Sequence, residues 1–401
     1  MNNWQDQLLE GSSFLKEPFI MHNAFESSLF SEKDLGDVLR NMSTFHIKKI
    51  NTRIYVDNGM RHDYETKVYH NPPFDGETVF DWSKRIFGEN EFGIVINNVE
   101  QLNDSLTQRF AVALQPIIEK IGIPLGGIDT VFFVGNYGYT PFGIHIDDNL
   151  ANISHFHIGP SEKDMILWDI PTFVEKTGTE ESNFDYEIMK PFGTSYNIKS
   201  NSIFFMPANY YHVGENKGFS IALTFGFRET TNAELVNDAL NQANKYLLDS
   251  KKVNEYQILD DLLADDFIAK EYKNSSLETW VSDAITDYKY SLESNCGFIF
   301  PPAKKNSEKH ENIINHSIII NSPFKIFLRN KDNQYINLFV RKNRMSLKYN
   351  SQIVEIIRLI NEGNKLYISD LIKISQPELS EKSVIGLITT LLNYKGIILN
   401  E

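Results

Sequence analysis

Three residues of this chain have the types and spacing needed to bind a metal ion. His145 and Asp147 are separated by one residue in the segment YTPFGIHIDD, and His212 follows much later in FFMPANYYHVGEN. Two imidazoles and one carboxylate form the facial ligand set of non-haem Fe(II), which leaves coordination positions open for chemistry. Residues i and i+2 of a strand point to the same side, so both early ligands reach one ion if YTPFGIHIDD ends a strand. We predict that these three residues are both the metal ligands and the catalytic centre, with His212 at the mouth of a turn that leads into a further strand.

Short apolar runs surround the three candidate ligands. The segments IDTVFFVGNYG, ISHFHIG, DMILWDI, TSYNI, SIFFMP and FSIALTFGF are separated by turn residues between positions 128 and 228. This pattern predicts an antiparallel double-stranded β-helix, the jelly roll of the cupin class, with ligands from an early and a late strand. The chain as a whole is therefore predicted to be α+β.

Helical spacing dominates two other parts of the chain. Upstream, SEKDLGDVLRNM and SLTQRFAVALQPIIEKIG read as helices, the latter with Leu106, Phe110 and Leu114 on one side. Downstream of residue 228, TTNAELVNDALNQANKYLLDS, YQILDDLLADDFIAKEYKN and SLETWVSDAITDYKYSLES are helical in pattern. The last 80 or so residues read as a strand pair, three helices and a closing strand, the outline of a winged-helix module.

Composition limits the classes of function. The formal net charge is −14, which argues against general binding to nucleic-acid phosphates. Cys296 is the one cysteine, so no internal disulfide forms, as expected of a protein in a reducing compartment. The first residues lack the basic and apolar stretches of a signal peptide, and no run of 18 apolar residues occurs. We therefore expect a cytoplasmic protein that binds neither membrane nor nucleic acid.

Residues 90 to 228 resemble the JmjC-type 2-oxoglutarate-dependent protein hydroxylases, and among them the ribosomal-protein oxygenases. The resemblance depends on GIVINNVEQL, on HIDD, on PANYYHVGEN and on FGFR, and the order of domains extends it to the C-terminus. It implies Fe(II), 2-oxoglutarate and O₂ as cofactors, succinate and CO₂ as co-products, and hydroxylation of a side chain in a protein or peptide. It also implies three parts: a catalytic domain over 1–228, a helical, dimerisation-like segment with a linker over 229–322, and a winged-helix-like domain over 323–401.

The same resemblance implies a basic residue that binds the far carboxylate of 2-oxoglutarate. Lys163, after the turn Gly159-Pro160-Ser161, is the candidate, although the chain has about two more residues before this turn than the family pattern. A dicarboxylate that chelates metal at one end needs a cation or hydroxyl donors at the other, and Lys163 is the one Lys or Arg between His145 and Trp168. Thr224, Tyr137 and Thr140 are further candidate cosubstrate contacts.

Other readings of the same residues remain open. His155 and His157, with Glu162 and His212, imitate the ligand set of simple cupins, which would suit a dioxygenase or isomerase that uses no keto acid. A JmjC-type demethylase and a non-catalytic scaffold are two more alternatives. In residues 351–401, five basic residues stand against six acidic ones, so a groove-reading role for the tail is not expected. Homodimer contacts or the binding of a protein substrate fit the downstream helices and tail better.

Overall fold

The chain forms an α+β structure in which the sheets are antiparallel. The structure is a computed structural model, and it describes residues 4–26, 29–44, 51–147, 151–248, 276–303, 313–330 and 334–400. Residues 1–228 contribute the strands β1 (Phe19–Met21), β2 (Thr52–Val56), β3 (Gly59–Met60), β4 (Phe92–Asn97), β5 (Ile128–Gly135), β6 (Ala151–Pro160), β7 (Lys163–Asp169), β8 (Thr194–Ile198), β9 (Ser202–Met206), β10 (Tyr210–Asn216) and β11 (Ser220–Arg228).

These strands are arranged in two sheets that enclose a cavity. The larger sheet has eight strands in the order β1-β9-β6-β11-β5-β4-β2-β3, and the smaller one has the order β10-β7-β8. Every strand pair in both sheets is antiparallel. Side chains from both sheets line one cavity of about 600 Å³, which lies between them.

Alternation along β11 shows how the larger sheet separates core from cavity. Its odd-numbered apolar residues, such as Leu223 and Phe225, are buried in the main hydrophobic core. Thr224, Gly226 and Arg228 line the cavity on the opposite face. A period of two places neighbouring side chains on opposite faces, so one strand serves both layers. In the core, the ring of Phe225 packs edge to face against Phe110 and Phe156.

Helices cover the core side of the larger sheet. The helices of this half are Trp4–Gly11, Glu32–Thr44, His62–His70, Val79–Phe87, Asp104–Ile121, Ile170–Thr177 and Tyr186–Met189. The helix Asp104–Ile121 begins where the Asn103 side chain accepts a hydrogen bond from the Leu106 amide, which satisfies one free donor of the first turn. It buries Leu106, Phe110 and Leu114, as their spacing predicts. The helix Glu32–Thr44 confirms the prediction made from SEKDLGDVLRNM.

Two helices follow β11 and pack against each other. They are Asn232–Leu248 and Leu277–Glu293, which confirm two of the three predicted helices. Ala239, Ala243, Ala284 and Tyr288 form the buried contact between them. The third predicted helix, YQILDDLLADDFIAKEYKN, lies outside the described residues. Within the described ranges, no helix is both long and apolar enough to cross a membrane.

The C-terminal part has its own hydrophobic core and two small sheets. Its strands are β12 (Ser317–Ile320), β13 (Phe327–Asn330), β14 (Tyr335–Val340), β15 (Asn343–Lys348), β16 (Leu366–Tyr367) and β17 (Ile397–Asn400), and its helices are Ser351–Asn361, Ile368–Ser375 and Glu381–Asn393. The sheet orders are β16-β12-β17 and β13-β14-β15. The predicted strand pair, three helices and closing strand are all present. The strands β12, β15 and β16 were not predicted; for β15 the reason is that RKNRMSLK has too few apolar residues to indicate a strand.

One local prediction about the ligand segments is wrong, and another is refined. His145 is not in a regular strand: Ile144 and His145 each form a single isolated bridge, and Asp147 has no regular structure. His212, predicted at the mouth of a turn, lies in the interior of β10, ahead of the bend at 217–219 that leads into β11. The turn Pro207-Ala208-Asn209 ends just before β10, so the polar signal of the sequence marked the start of this strand rather than the ligand itself.

Candidate metal centre

The backbone brings His145 and His212 together although they are far apart in sequence. The amide of His145 donates to the carbonyl of His212 at 3.1 Å, and the amide of His212 donates back to the carbonyl of His145 at 2.8 Å. This mutual pair places the two imidazole centroids 4.3 Å apart. Two residues earlier, Gly143 has a φ of +84°, and a Cβ there would lie 3.0 Å from the Asn183 carbonyl oxygen, so a larger residue would strain the segment that leads into His145.

Asp147 completes a three-residue cluster. One ligand atom of each of His145, Asp147 and His212 can be chosen so that all three lie within 4.8 Å of one another. His145 Nε2 lies 3.6 Å from Asp147 Oδ1. In the part of the chain that the structure describes, this is the one group of three or more His, Cys, Asp or Glu residues with that geometry. The structure thus brings together the three predicted ligands, without the regular strand that was expected to do so.

Carbonyl groups orient the two imidazoles. His145 Nδ1 lies 3.0 Å from the carbonyl oxygen of Gly143, and His212 Nδ1 lies 3.4 Å from that of Tyr210. A carbonyl only accepts, so each Nδ1 carries the proton and each Nε2 keeps its lone pair for a metal ion. Such outer contacts fix both the tautomer and the ring orientation of ligating histidines.

The protonation of the cluster also favours metal binding. Burial and, to a smaller extent, the nearby His145 lower the pKa of His212 to about 4, so the ring is neutral near pH 7. Burial acts to raise the pKa of Asp147, but the proximity of His212 and His145 holds it at about 2. A neutral imidazole and an ionised carboxylate are the forms that coordinate a divalent cation.

Lys163 lies in the wall of the same cavity, on the first residue of β7. Its side chain is 4% exposed, and burial lowers its pKa from 10.5 to about 8. Among the described residues, no group accepts a hydrogen bond from its ammonium or pairs with it. Its neighbours are the rings of Phe133 and Tyr137, whose centroids lie 5.6 and 5.9 Å from Nζ. A buried cation without an anion at a cavity wall has the chemistry to bind an anionic ligand.

The three remaining candidate cosubstrate contacts lie around Lys163. Thr140 and Thr224 line the cavity. The Thr140 hydroxyl already donates to the Gly214 carbonyl at 3.0 Å, whereas that of Thr224 has a long contact of 3.4 Å to the Val131 carbonyl. Tyr137 is buried behind Lys163, and burial raises its pKa to about 12 although a hydrogen bond with Asn216 opposes the rise. Thr224 is therefore the hydroxyl with more freedom to turn toward a ligand.

Close packing at Gly214 keeps Lys163 in place. A Cβ at Gly214 would lie 2.4 Å from the Lys163 Cε atom and 3.1 Å from Thr140 Oγ1. The glycine thus provides the space that the lysine stem occupies, and it comes two residues after His212 on β10. The same strand therefore carries a metal-ligand candidate and the backbone against which the buried cation packs.

The second histidine pair does not form a comparable cluster. His157 is fully buried, and its Nε2 lies 2.7 Å from the Ser161 carbonyl oxygen. Glu162 faces Asn197 and Lys217 rather than a histidine. His155 lines the cavity, and burial keeps its pKa well below the ordinary value. In the described residues, the three-histidine, one-glutamate arrangement predicted as an alternative is therefore absent, because its members face different surroundings.

Several cavity residues were not predicted from the sequence. Arg53 of β2, Asp129 of β5 and Arg228 of β11 line the cavity near the candidate ligands. Phe142 packs edge-on against His145, with ring centroids 4.6 Å apart. Phe142 could have been named from the sequence, since it lies in the same segment as His145, YTPFGIHIDD. The other three come from strands whose neighbours are set by sheet topology, for which the sequence carries no local signal.

Comparison with known proteins identifies the fold. No family model matches the sequence, and no curated protein matches it. Among solved structures, YcfD from Escherichia coli, described as a ribosomal oxygenase, matches in complex with cobalt and 2-oxoglutarate at 12% identity and a TM-score of 0.53. The match covers 100% of this chain and 99% of that one. A structure of YcfD with cobalt and succinic acid and a further one described as the X-ray structure of E. coli ycfD give the same TM-score, at 12% and 13% identity. The two proteins share a fold over their full lengths, which confirms the predicted resemblance at that level.

Proposed function

We propose that this chain is an Fe(II)- and 2-oxoglutarate-dependent oxygenase that hydroxylates a side chain of a protein or peptide. The observation that carries the proposal is the combination of the His145, Asp147 and His212 cluster with the unpartnered ammonium of Lys163 in one cavity. The fold shared with YcfD, whose structures hold cobalt with 2-oxoglutarate or succinic acid, is consistent with it.

The donor set fits the proposed metal. Two neutral imidazoles and one carboxylate on one side of an ion leave the opposite positions open, which suits Fe(II). When bound, iron with 2-oxoglutarate and O₂ supplies oxidative decarboxylation to succinate and CO₂ and transfers the second oxygen atom to a substrate C–H bond. The chain supplies the rest: the triad holds the ion, and the cavity wall excludes water around it.

Lys163 fits the far carboxylate of the cosubstrate. The ammonium is buried and lies in the wall of the cavity that also holds the triad, so a dicarboxylate held at one end by metal would present its other end to Lys163. Thr224 would add a hydroxyl donor, and Thr140 and Tyr137 would shape the wall around the lysine. A charge pair formed in such a dry pocket is stronger than one at the surface, which explains why a single lysine suffices.

Exposed apolar side chains beside the cavity favour a protein or peptide over a free metabolite. Phe184, Ile188 and Phe192 are 59%, 68% and 46% exposed, and they follow Ser182, which lines the cavity. Large apolar residues exposed together mark interaction surfaces more often than inert surface. A peptide could contact them while one of its side chains enters the cavity.

We propose the following organisation for the whole chain. Residues 1–228 form a catalytic jelly-roll domain, the helices after residue 229 form a dimerisation segment, and the C-terminal part is a winged-helix-like domain. The hydrophobic core of the C-terminal part includes Ile313 and Ile318, so we place its start near residue 313 rather than 323. A homodimer would be tested by light scattering of the purified protein, and a cytoplasmic location by fractionation.

Turnover of 2-oxoglutarate tests the function directly. Purified protein with Fe(II), 2-oxoglutarate and O₂ is expected to form succinate, and candidate peptides are expected to gain the mass of one oxygen atom. A demethylase would instead remove the mass of a CH₂ group. The Lys163→Met variant is expected to lose succinate formation. Absence of both 2-oxoglutarate binding and succinate formation in the wild-type protein would contradict the proposal.

A further inference from the structure

Arg53 lies at the cavity wall next to the metal triad. Its guanidinium carbon is 5.1 Å from the centroid of the Phe142 ring, which in turn lies 4.6 Å from the His145 ring. A single aromatic ring therefore separates Arg53 from a metal-ligand candidate. Its charge also acts on Asp147, where it adds to the larger effects of the two histidines. A guanidinium in this position is available to a substrate group that enters the cavity.

Arg53 has no hydrogen-bonded ion-pair partner in the part of the chain that the structure describes. In the described ranges, no carboxylate or carbonyl accepts a hydrogen bond from it, and its Nε is buried without a partner. The other arginine of the cavity, Arg228, donates to Asp129 Oδ2 at 2.6 Å. The Arg228–Asp129 pair carries no net charge. Among the described residues of this part of the wall, Arg53 is therefore the cation without a hydrogen-bonded anion. Amide groups from Asn97 and Asn98 line the same wall.

We propose that Arg53 binds a carboxylate of the substrate, and that the substrate is a peptide segment with an Asp or Glu side chain at or beside the modified position. The inference rests on the proposed oxygenase function and adds the class of substrate. Lys163 would bind the cosubstrate and Arg53 the substrate, so that two cations in one cavity serve two different carboxylates.

The overall charge does not oppose this assignment. A net charge of −14 repels acidic partners at long range, but screening reduces such effects beyond about 8 Å at physiological ionic strength. Within the cavity, a charge-assisted hydrogen bond to a guanidinium contributes about 1.5–3 kcal/mol, which is at least about tenfold in affinity. The local cation therefore determines which side chain enters, while the surface charge affects the rate of approach.

Three matched peptide libraries test the proposal. They share random flanking positions and amidated C-termini, and the central residue is Glu, Gln or Lys, so the Glu library carries a fixed side-chain carboxylate. The measurement is succinate formation above the rate without peptide, at limiting peptide concentration. The wild-type protein is expected to respond about tenfold more to the Glu library than to the Gln library. The Arg53→Glu variant is expected to prefer the Lys library, and Arg53→Lys to retain part of the preference for Glu.

The controls separate this inference from the function on which it rests. Arg61→Glu removes a nearby exposed arginine that pairs with Asp63, and it is expected to keep the wild-type preference. If Arg53→Glu does not fold, as judged by thermal unfolding, Arg53→Gln is used, and the preference for Glu over Gln must disappear. Equal responses to all three libraries, including no response to any, overturn the proposal if succinate still forms without peptide. Loss of succinate formation in every wild-type sample would instead overturn the oxygenase function itself.

Discussion

The ammonium of Lys163 faces the ring of Phe133 at 5.6 Å, in a cavity wall where the described residues offer it no anion. An aromatic face stabilises a cation, but by less than the loss of hydration costs at a buried site. The lowered pKa of Lys163, about 8, reflects this imbalance. The buried ammonium therefore destabilises the ligand-free protein, and a carboxylate that enters the cavity would offset this cost.

We predict that Lys163→Met stabilises the ligand-free protein while abolishing dicarboxylate binding. The fall of the Lys163 pKa from 10.5 to about 8 corresponds to a cost of about 3 kcal/mol for keeping the charge buried at neutral pH. Because the folded-state pKa is lowered, the unfolded chain binds the extra proton between these values, so stability rises with pH through this range. Urea unfolding at pH 7 should show the gain, and the difference between the two proteins should shrink by pH 10. A variant less stable than the wild type at pH 7 would show that the Lys163 ammonium already has a favourable partner in the ligand-free protein.

The affinity for 2-oxoglutarate is predicted to fall as the pH rises above about 8. The far carboxylate needs the protonated lysine, and this form is lost tenfold for each pH unit above the pKa of Lys163. Below about pH 8 Lys163 is protonated, so its titration should leave the affinity nearly constant. Calorimetry with Co(II)-loaded protein would measure the profile.

The Lys163→Arg variant is the control for this pH profile. A guanidinium keeps its charge across the whole range, so any binding by this variant should be independent of pH above 8. A wild-type profile as flat as that of the arginine variant would contradict a role for the Lys163 proton. Changes common to both proteins would instead belong to the metal ligands.

Asp147→Ala is predicted to abolish metal binding, whereas His157→Ala should preserve it. Asp147 provides the carboxylate of the triad, while His157 Nε2 is bound to the Ser161 carbonyl. Removal of one ligand or of its orienting contacts typically costs tenfold or more in metal affinity. Equilibrium dialysis with Co(II) distinguishes the two variants. The opposite result would favour the alternative cupin-type site.

The sequence was sufficient to predict which three residues form the cluster, but not how the backbone brings them together. The types and spacing of His145, Asp147 and His212 indicated a metal site, and the apolar periodicity located most strands and helices. The bridge between His145 and His212, by contrast, depends on contacts between distant segments, which local patterns do not encode. Lys163 could be named from the sequence because it is the one Lys or Arg between His145 and Trp168.

Arg53 shows the opposite case. It lies in a short strand, β2, whose position in the larger sheet follows from pairing with β4. Nothing in the segment NTRIYVDN indicates that this arginine faces the same cavity as residues that follow it by 90 or more positions. The register of a sheet decides which face a residue occupies, and a shift by one residue would turn Arg53 away. Substrate-contacting residues of this kind require the fold before they can be named.

One buried arginine makes several of the contacts between the C-terminal part and the rest of the chain. Arg341 is fully buried, and its Nη1 donates to Asp104 Oδ1 at 2.9 Å while its Nε donates to Asn295 Oδ1 at 2.8 Å. Its guanidinium carbon lies 3.4 Å from the centroid of Phe324. Asp104 begins a helix of the N-terminal half, and Asn295 follows the helix Leu277–Glu293. One side chain thus joins three separate parts of the fold.

Arg341→Met is therefore predicted to destabilise the protein by about 2–4 kcal/mol. The methionine fills much of the space, but Asp104 and Asn295 lose their partner, and breaking a buried charged contact from one side is costly. Urea unfolding should show a lower midpoint, with earlier proteolytic cleavage between the barrel and the C-terminal part. Arg358→Met, which removes an exposed arginine paired with Glu355 and Glu362, serves as the control and should leave the midpoint unchanged. Equal behaviour of the two variants would mean that the buried contacts of Arg341 contribute no more than a surface pair, and that other contacts such as Arg329 with Asp287 hold the C-terminal part in place.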